Sequence, residues 1–467
     1  ICDPHEIANV LGAEGIRYFL DCAERTVMDV RINLSSCVPS TEHETSGARL
    51  EIDDLRAFAN HPKVIGLAEM MNFPGVLAGD PGVLGKLAAF QGKHIDGHAP
   101  LLSGLALNGY LAAGIRTDHE ATSAAEAREK LAKGMAILIR EGSVSKDLEA
   151  LAEVLDENTS AFVALCTDDR NPLDIDEEGH LDAMIRRLAA RGRPLHHVYR
   201  AASHSAARIF GLADRGHVAP GWRADIALVD GLEDCRVSDV IAAGRLVGPA
   251  LFAARRSVEP VGLHSMKAAP VTADKFVTPA KPGANETPVI EVRGGLILTF
   301  RRDVSLPVTE QGLQPDLARD VVKVAVVERH GVNGNIGRGF VTGFGLKRGA
   351  IASSVGHDSH NITVVGANDA DMAAAVNRVI EMKGGLAVVA DGKVTADLPL
   401  PVAGLMSLDS FGAVAARLRD LRAAAKALGC TLPEPFLQVA FLALPVIPHV
   451  KITDKGLFDV DRFGFVD

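Results

Sequence analysis

Two histidines each follow a short apolar run in segment 92–120, and this arrangement suggests metal chemistry. His98 comes directly after Ile95-Asp96-Gly97, and His119 comes directly after the run 115–118. An Ala/Leu/Gly segment of about helical length separates the runs, so the sequence predicts strand, helix, strand. Imidazole is a frequent ligand of Zn, Mn and Fe. A single histidine of this kind is usually structural, but two at successive strand ends favour a metal site.

Two carboxylates occupy similar positions, Glu69 in GLAEMMNFPGV and Asp168 in CTDDR. A carboxylate that closes an apolar strand must be paired, metal-bound or solvated. Glu69 could bridge two cations, and Asp168 could bind metal and take a proton from water. The alternative for Glu69 is an ion pair. One of the adjacent residues Asp168 and Asp169 is expected to form a turn, and we assign the turn to Asp169. Glu120, beside His119, is a second candidate catalytic acid.

Five further residues are weaker candidates for contact with a substrate. His5 lies at the first strand exit, and Arg140 ends the run AILIR. Either His5 or Arg140 could instead form structural hydrogen bonds at the rim of a strand–helix barrel. His357, Asp358 and His360 lie in a polar segment between two apolar runs. Two histidines with an aspartate could bind another metal, but we favour a segment that closes over a neighbouring pocket or forms a buried polar turn.

The elements that must position these residues alternate between strand and helix. The predicted strands are Ile32–Val38, Val64–Glu69, the runs at Ile95 and Ile115, Ala136–Arg140 and Phe162–Asp169. The predicted helices are Glu51–Ala59, Ala124–Lys133, Lys146–Leu155 and Leu181–Ala190. Repeated alternation predicts an α/β fold with a parallel sheet, and the number of units favours a closed (β/α)8 TIM-like barrel.

The remainder of the chain has a different pattern. Short Val/Ile runs with Pro-Gly and Asp-Gly turns predict a small β domain, and the Pro/Ala/Lys-rich segment 266–288 is expected to be an exposed linker. Beyond it, strands near 289–292, 321–328, 363–366 and 385–390, with helices at 369–381 and 410–428, predict an α+β domain. The expected domains are therefore 1–215, 216–288 and 289–467.

Composition narrows the class of protein. The chain has 467 residues, of which 47% are hydrophobic and 23% charged, and this is typical of a soluble globular protein. A net charge of −10 without a basic tract argues against nucleic-acid binding. The six cysteines form no CxxC pair, and no apolar run has membrane-spanning length. We therefore expect a cytoplasmic protein that binds neither nucleic acid nor membrane.

Several long motifs resemble the amidohydrolase superfamily and, within it, the bacterial adenine deaminases. The barrel motifs are DPHEIANVLG, SCVPSTEHETSGA, GLAEMMNFPGV, IDGHAP, GIRTDHEATSAAEA, CTDDR and GHVAPGWRADIALVD. The C-terminal motifs are RGAIASSVGHDSHNITVVGAND, LPLPVAGLMS and FLALPVIPHVKITDKGLFDV. The resemblance covers essentially the whole chain.

This resemblance implies hydrolytic deamination of a purine base, adenine, by a metal-activated hydroxide at a binuclear centre. Glu69 would bridge two divalent ions, Mn or Fe with Zn as an alternative, and His98, His119 and Asp168 would be ligands. The family also carries an HxH motif on the first barrel strand. Because this sequence starts beyond that strand, we expect a barrel without its first strand. A homo-oligomer is expected.

Two other functions compete with deamination. The first is hydrolysis of a cyclic amide, although relatives of that type commonly bridge their metals with a modified lysine, and the strand here ends in Glu69. The second is a metal-poor binding protein, which would follow if the HxH strand were truly absent. Assays on both substrates and metal analysis would separate these possibilities.

Overall fold

The computed structural model describes residues 1–280 and 286–466. The chain divides into two compact units, each assembled from segments that are separate in the sequence. Unit 1 comprises Ile1–His5, Ile16–Cys37 and Leu50–Glu259, and unit 2 comprises Glu6–Gly15, Val38–Arg49 and Pro260–Asp467. The predicted division into three domains stays a prediction.

Unit 1 contains two parallel three-stranded ladders, β1-β2-β3 and β4-β5-β6. Their strands are β1 Ile32–Leu34, β2 Val64–Met70, β3 His94–Gly97, β4 Thr117–Asp118, β5 Ala136–Arg140 and β6 Val163–Cys166. The backbone N–H of Arg116 donates to the Ile95 oxygen at 3.2 Å and so links the ladders. Strand–helix alternation with parallel pairing is therefore confirmed. Most strands are shorter than predicted, and the fourth begins at Thr117, two residues after Ile115.

The first thirteen α-helices of the chain are mostly short. They are α1 His5–Leu11, α2 Ala13–Arg25, α3 Ile52–Arg56, α4 Phe73–Ala78, α5 Pro81–Ala89, α6 Gly104–Ala112, α7 Ala124–Ala132, α8 Leu148–Leu151, α9 Pro172–Glu177, α10 Leu181–Ala190, α11 Leu195–Tyr199, α12 Ala206–Ile209 and α13 Pro249–Ala253. Helix α7 starts where it does because the Ser123 hydroxyl caps it, accepting from the Glu126 N–H. The predicted helix Lys146–Leu155 is α8 followed by a single 3₁₀ turn.

The core of unit 1 lies between β5, β6 and the helices that follow them. Ile137 and Ile139 of β5 pack with Val163 and Leu165 of β6 and with Leu188 of α10. Because the apolar side chains fill this core, the candidate polar side chains lie at the carboxyl ends of the strands. A small antiparallel sheet, β7 Ile226–Val229, β8 Val237–Ala242 and β9 Arg245–Leu246, confirms the predicted β element.

Unit 2 is built on an eight-stranded mixed sheet with the order β11-β10-β15-β14-β17-β16-β18-β19. Its strands, with two smaller sheets, are β10 Thr287–Val292, β11 Thr299–Val304, β12 Val308–Thr309, β13 Gly312–Leu313, β14 Val321–Val327, β15 Ile336–Thr342, β16 Ala350–Ser353, β17 Ile362–Gly366, β18 Gly385–Ala390, β19 Lys393–Pro399, β20 Val450–Thr453, β21 Gly456–Asp459 and β22 Gly464–Phe465. The helices are α14 Asp369–Glu381, α15 Phe411–Ala427 and α16 Pro435–Ala440. This arrangement confirms the predicted α+β character.

The predicted exposed linker 266–288 is wrong for its central part. Phe276 is only 1% exposed, and it packs with Met372 and Val376 of α14. The Val271 N–H donates to the side chain of Asn377 at 2.8 Å. Aromatic burial outweighs the Pro/Ala/Lys composition that suggested a linker. Residues 281–285 of that prediction lie outside the described part of the chain. Among the described residues, no helix is both long and apolar enough to cross a membrane.

Candidate metal centre

The carboxylate of Glu69 lies between two imidazoles. Glu69 is the penultimate residue of β2, and His98 and His119 directly follow β3 and β4. Glu69 Oε2 is 2.8 Å from His98 Nδ1 and 3.2 Å from His119 Nε2. One ligand atom from each of the three residues falls within a 4.8 Å cluster. The expected meeting of side chains from successive strand ends is therefore observed.

These three groups hold one another in their charged forms. Burial alone would raise the pKa of Glu69, but His119 and His98 outweigh it and keep that pKa well below its ordinary value. Burial alone would lower the pKa of each imidazole. Glu120 and Glu69 instead raise the pKa of His98, and Glu69 raises that of His119 well above normal. The site therefore attracts positive charge, and a bound cation would displace protons from the imidazoles.

Asp168 lies shortly after β6, and its carboxylate contacts the guanidinium of Arg140. Its Oδ2 accepts from Arg140 Nη1 at 3.0 Å and lies 3.9 Å from His119 Nε2. Burial would raise the pKa of Asp168, but Arg140 and then His119 outweigh it, so that pKa is lowered. The Asp168 side chain is 32% exposed, compared with 4% for Glu120. Of the two predicted catalytic acids, Asp168 is the one that solvent can reach.

Arg140, the last residue of β5, joins three carboxylates. It is 1% exposed, and besides Asp168 it binds both carboxylate oxygens of Glu120. Its Nε and Nη2 also donate to Asp147 Oδ2, each at 3.2 Å. Burial raises the pKa of Asp147 to about 6, against the opposing effect of Arg140. Every guanidinium nitrogen is therefore engaged by a carboxylate, and the prediction that Arg140 binds substrate stays a prediction.

Asp3 is a member of the site that the sequence interpretation missed. His5 Nδ1 is 2.9 Å from Asp3 Oδ2 and 3.8 Å from Glu69 Oε1, and Ser35 donates to Asp3 Oδ1 at 2.8 Å. Asp3, His5 and Glu69 also form a group with metal-ligand spacing. Its position in the sequence, two residues before His5 at the same strand exit, could have indicated that Asp3 belongs to the site. Contact of His5 with substrate stays a prediction.

His357, Asp358 and His360 belong to unit 2, in the segment between β16 and β17. All three are buried, with His357 3% and His360 0% exposed. Burial agrees with the polar-turn alternative. Their predicted contact with substrate stays a prediction.

The donor set around Glu69 fits a divalent transition metal. His98 is 4% exposed, and its Nε2 is buried without a hydrogen-bond partner among the described residues. His119, Glu120 and Asp168 form an overlapping group with ligand spacing. Imidazole nitrogens combined with carboxylate oxygens suit Mn, Fe and Zn better than Ca or Mg. Glu69, which belongs to two of these groups, is the residue best placed to serve more than one ion.

Known proteins resemble this chain over both of its parts. The Amidohydrolase family model matches residues 1–247, and the Adenine deaminase C-terminal domain model matches residues 296–464. Adenine deaminase of Brucella abortus (strain 2308) is 64% identical over 466 residues, which is 100% of this chain and 80% of that protein. Adenine deaminase 1 of Rhizobium meliloti (strain 1021) is 65% identical, covering 100% of this chain and 82% of that protein.

The chain belongs to the adenine deaminases of the amidohydrolase family. Adenine deaminase 1 of Agrobacterium fabrum (strain C58 / ATCC 33970), 63% identical over 466 residues, covers 100% of this chain and 81% of that relative. The resemblance expected from the motifs is confirmed. In this adenine deaminase family member the amidohydrolase match contains the Glu69, His98, His119 and Asp168 positions, and the C-terminal match contains His357, Asp358 and His360.

Proposed function

We propose that this chain catalyses the hydrolytic deamination of adenine to hypoxanthine and ammonia. The observation that carries the proposal is the Glu69 carboxylate held between His98 and His119 at the carboxyl ends of parallel strands. The names of relatives 63–65% identical over the whole chain supply the substrate. Together they favour adenine over a cyclic amide.

The proposed setting is a (β/α)8 TIM-like barrel with two divalent ions, Mn or Fe, with Zn as the alternative. Glu69 would bridge the ions, and His98, His119 and Asp168 would be ligands. When bound, such ions lower the pKa of a water molecule and so supply a nucleophile at neutral pH. The proposal also includes a homo-oligomer in the cytoplasm, a location in keeping with six free cysteines.

Proton movement is the part that this chain's own residues perform. In the overall reaction the C6–O bond forms and the C6–N bond breaks, while the two protons of water pass to ring N1 and to the departing nitrogen. Asp168 is the proposed carrier because Arg140 and His119 keep it ionised and because it is the more exposed acid. Glu120 binds Arg140 through both oxygens, so we assign it to positioning that guanidinium.

Substitution at the two carboxylates tests the proposal. Asp168→Asn should lower kcat for ammonia release by about 100-fold or more, since general acid–base groups contribute about 10²–10⁴-fold. Glu69→Gln should lower it as well, because a neutral amide cannot replace the bridging carboxylate. Asp169→Asn is the matched control, because it removes the adjacent charge and should keep turnover close to wild type. Bound metal should fall in Glu69→Gln. Wild-type turnover in both site variants, or hydrolysis of a cyclic amide instead of adenine, would contradict the proposal.

A further inference from the structure

A cavity of unit 2 is lined by three cationic side chains. Its volume is about 580 Å³, and its lining residues come from two segments of that unit, 267–275 and 327–338. The cations are Lys267, Lys275 and Arg338. Within the described part of the chain, none of the three forms an ion pair. Positive charge is therefore concentrated at one place on a chain whose net charge is −10.

One of the lining residues is acidic, and the backbone surrounds its carboxylate. Glu328 is 2% exposed. Its Oε2 accepts from the N–H groups of Val332, Asn333 and Gly334 at 3.2, 3.3 and 2.9 Å, and its Oε1 accepts from the His330 N–H. This carboxylate therefore folds the turn that follows β14 and makes no direct contact with the cations of the cavity.

A second acid, Asp274, precedes Lys275 in the sequence but does not line the cavity. Its carboxylate accepts from the hydroxyl of Thr272. That hydrogen bond, followed by the charge of Lys275, lowers the pKa of Asp274. Because Asp274 is exposed, solvent and salt screen its attraction for the ammonium group. Lys275 therefore keeps its capacity to bind an anion.

Both walls of the cavity are held in place by the rest of unit 2. The Lys267 N–H donates to the Arg329 oxygen at 2.9 Å, and Phe276, next to Lys275, is buried against α14. Arg338 joins the two walls, because its Nε donates to the Lys275 carbonyl oxygen. Its two terminal nitrogens have no hydrogen-bond partner among the described residues. A site that is already ordered binds a ligand at a lower entropic cost.

The size and the lining of the cavity indicate a small ligand. Cavities that bind small molecules typically measure about 300–1,000 Å³. Val271, Val332 and Ile336 add apolar surface beside the cations. A nucleic-acid surface would instead need a basic stripe along one face, and the charged groups here converge on a single cavity. An anion with a compact charged group and room for an apolar part fits this lining.

We propose that Lys267, Lys275 and Arg338 bind a phosphate group, either as free phosphate or as part of a small organic phosphate. The terminal nitrogens of Arg338 match two phosphate oxygens, and the two ammonium groups supply point charges. The site shares no residue with the Glu69 centre, so the proposal stands whether or not the chain deaminates adenine.

Equilibrium dialysis of the full chain tests the site, with radiolabelled inorganic phosphate and with phenyl phosphate as probes. Lys267→Met and Arg338→Met should each weaken binding by about 10-fold or more, as loss of a charge-assisted hydrogen bond does. Lys393→Met is the matched control, because Lys393 of β19 is exposed and forms no ion pair among the described residues. It should bind both probes as wild type does.

The two probes distinguish the source of the phosphate group. Tighter binding of phenyl phosphate would support an organic phosphate, and equal binding would support free phosphate. Circular dichroism checks the fold of each variant, and Lys275→Met replaces any variant that does not fold. No binding to wild type, or wild-type affinity in the folded Lys267→Met and Arg338→Met variants, would overturn the proposal. So would displacement of phosphate by a short single-stranded oligonucleotide at lower concentration than by phenyl phosphate. Ammonia release from adenine is measured separately, so a failure of the proposed activity is recognised independently.

Discussion

Replacing Lys130 by Met should destabilise unit 1 and loosen the metal centre together. Lys130 Nζ donates to Asp118 Oδ2 at 2.9 Å, to the Ala99 oxygen at 2.7 Å and to Glu126 Oε1 at 2.7 Å. Asp118 in turn accepts from the N–H of Ala99 at 2.9 Å and from that of Ala121 at 3.0 Å. Ala99 directly follows His98, and Asp118 directly precedes His119. The ammonium therefore ties together the two segments that carry the imidazoles.

The size of the expected destabilisation follows from the burial of the Lys130–Asp118 ion pair. The side chains of Lys130 and Asp118 are both 0% exposed, so Lys130→Met leaves a carboxylate without its cation in a site that water does not reach. Breaking a buried ion pair by removing one partner costs about 3–5 kcal/mol. We expect a loss of that size in the free energy of unfolding. Displacement of the two imidazole segments should also weaken Mn²⁺ binding by about 10–100-fold, as loss of an orienting contact does.

Lys133, the C-cap residue of the same helix, α7, provides the matched control. Lys133 pairs with Glu129 at 2.7 Å, but the two side chains are 25% and 36% exposed. Lys133→Met should therefore cost only about 0–1 kcal/mol. Urea denaturation and Mn²⁺ titration measure both variants. Equal destabilisation by the two substitutions, or unchanged Mn²⁺ affinity in folded Lys130→Met, would refute the role assigned to Lys130.

Three other predictions concern pH, charge geometry and metal. Burial lowers the pKa of Lys451 from 10.5 to about 7, so between these pH values the unfolded chain binds more protons than the folded chain. The free energy of unfolding of the wild type should therefore rise from pH 7 to 10, and that of Lys451→Met should rise by less. Urea denaturation at each pH measures both. Arg140→Lys should lower kcat by about 10-fold or more, because a point charge cannot hold Glu120, Asp147 and Asp168 at once; similar steady-state kinetics in both proteins would contradict this. Dialysis against a chelator should abolish ammonia release, and added Mn²⁺ or Fe²⁺ should restore it; activity that survives complete metal removal would argue against a metal centre.

Local patterns in the sequence predicted elements well where burial is regular. The bounds of β5, α10, β18 and α14 match their predictions because each has a consistent apolar face or run from end to end. The linker prediction failed at Phe276 because composition describes average exposure and not the packing of one aromatic ring. The segments Glu6–Gly15 and Val38–Arg49 belong to unit 2 through contacts that are remote in sequence. No local periodicity carries that information.

The candidate site shows the same distinction between local and remote information. Strand exits predicted which residues would converge, and Glu69, His98 and His119 do so. The partners of Arg140 were not predictable in that way, because Glu120, Asp147 and Asp168 come from three separate segments and become one set only when the strands align. A lone arginine at a strand end suggested substrate binding, which stays a prediction, and the structure adds that its guanidinium is shared among three carboxylates.

Asp168 connects the two parts of the centre. It lies 3.9 Å from His119, which contacts the Glu69 carboxylate, and 3.0 Å from Arg140, which binds Glu120. Opposite charges therefore alternate from Glu69 through His119, Asp168 and Arg140 to Glu120. In such a chain, removing one charge changes the proton affinity of its neighbours as well as its own contacts. A substitution at Arg140 should accordingly act on the reaction through Asp168, even though the guanidinium itself is enclosed by carboxylates.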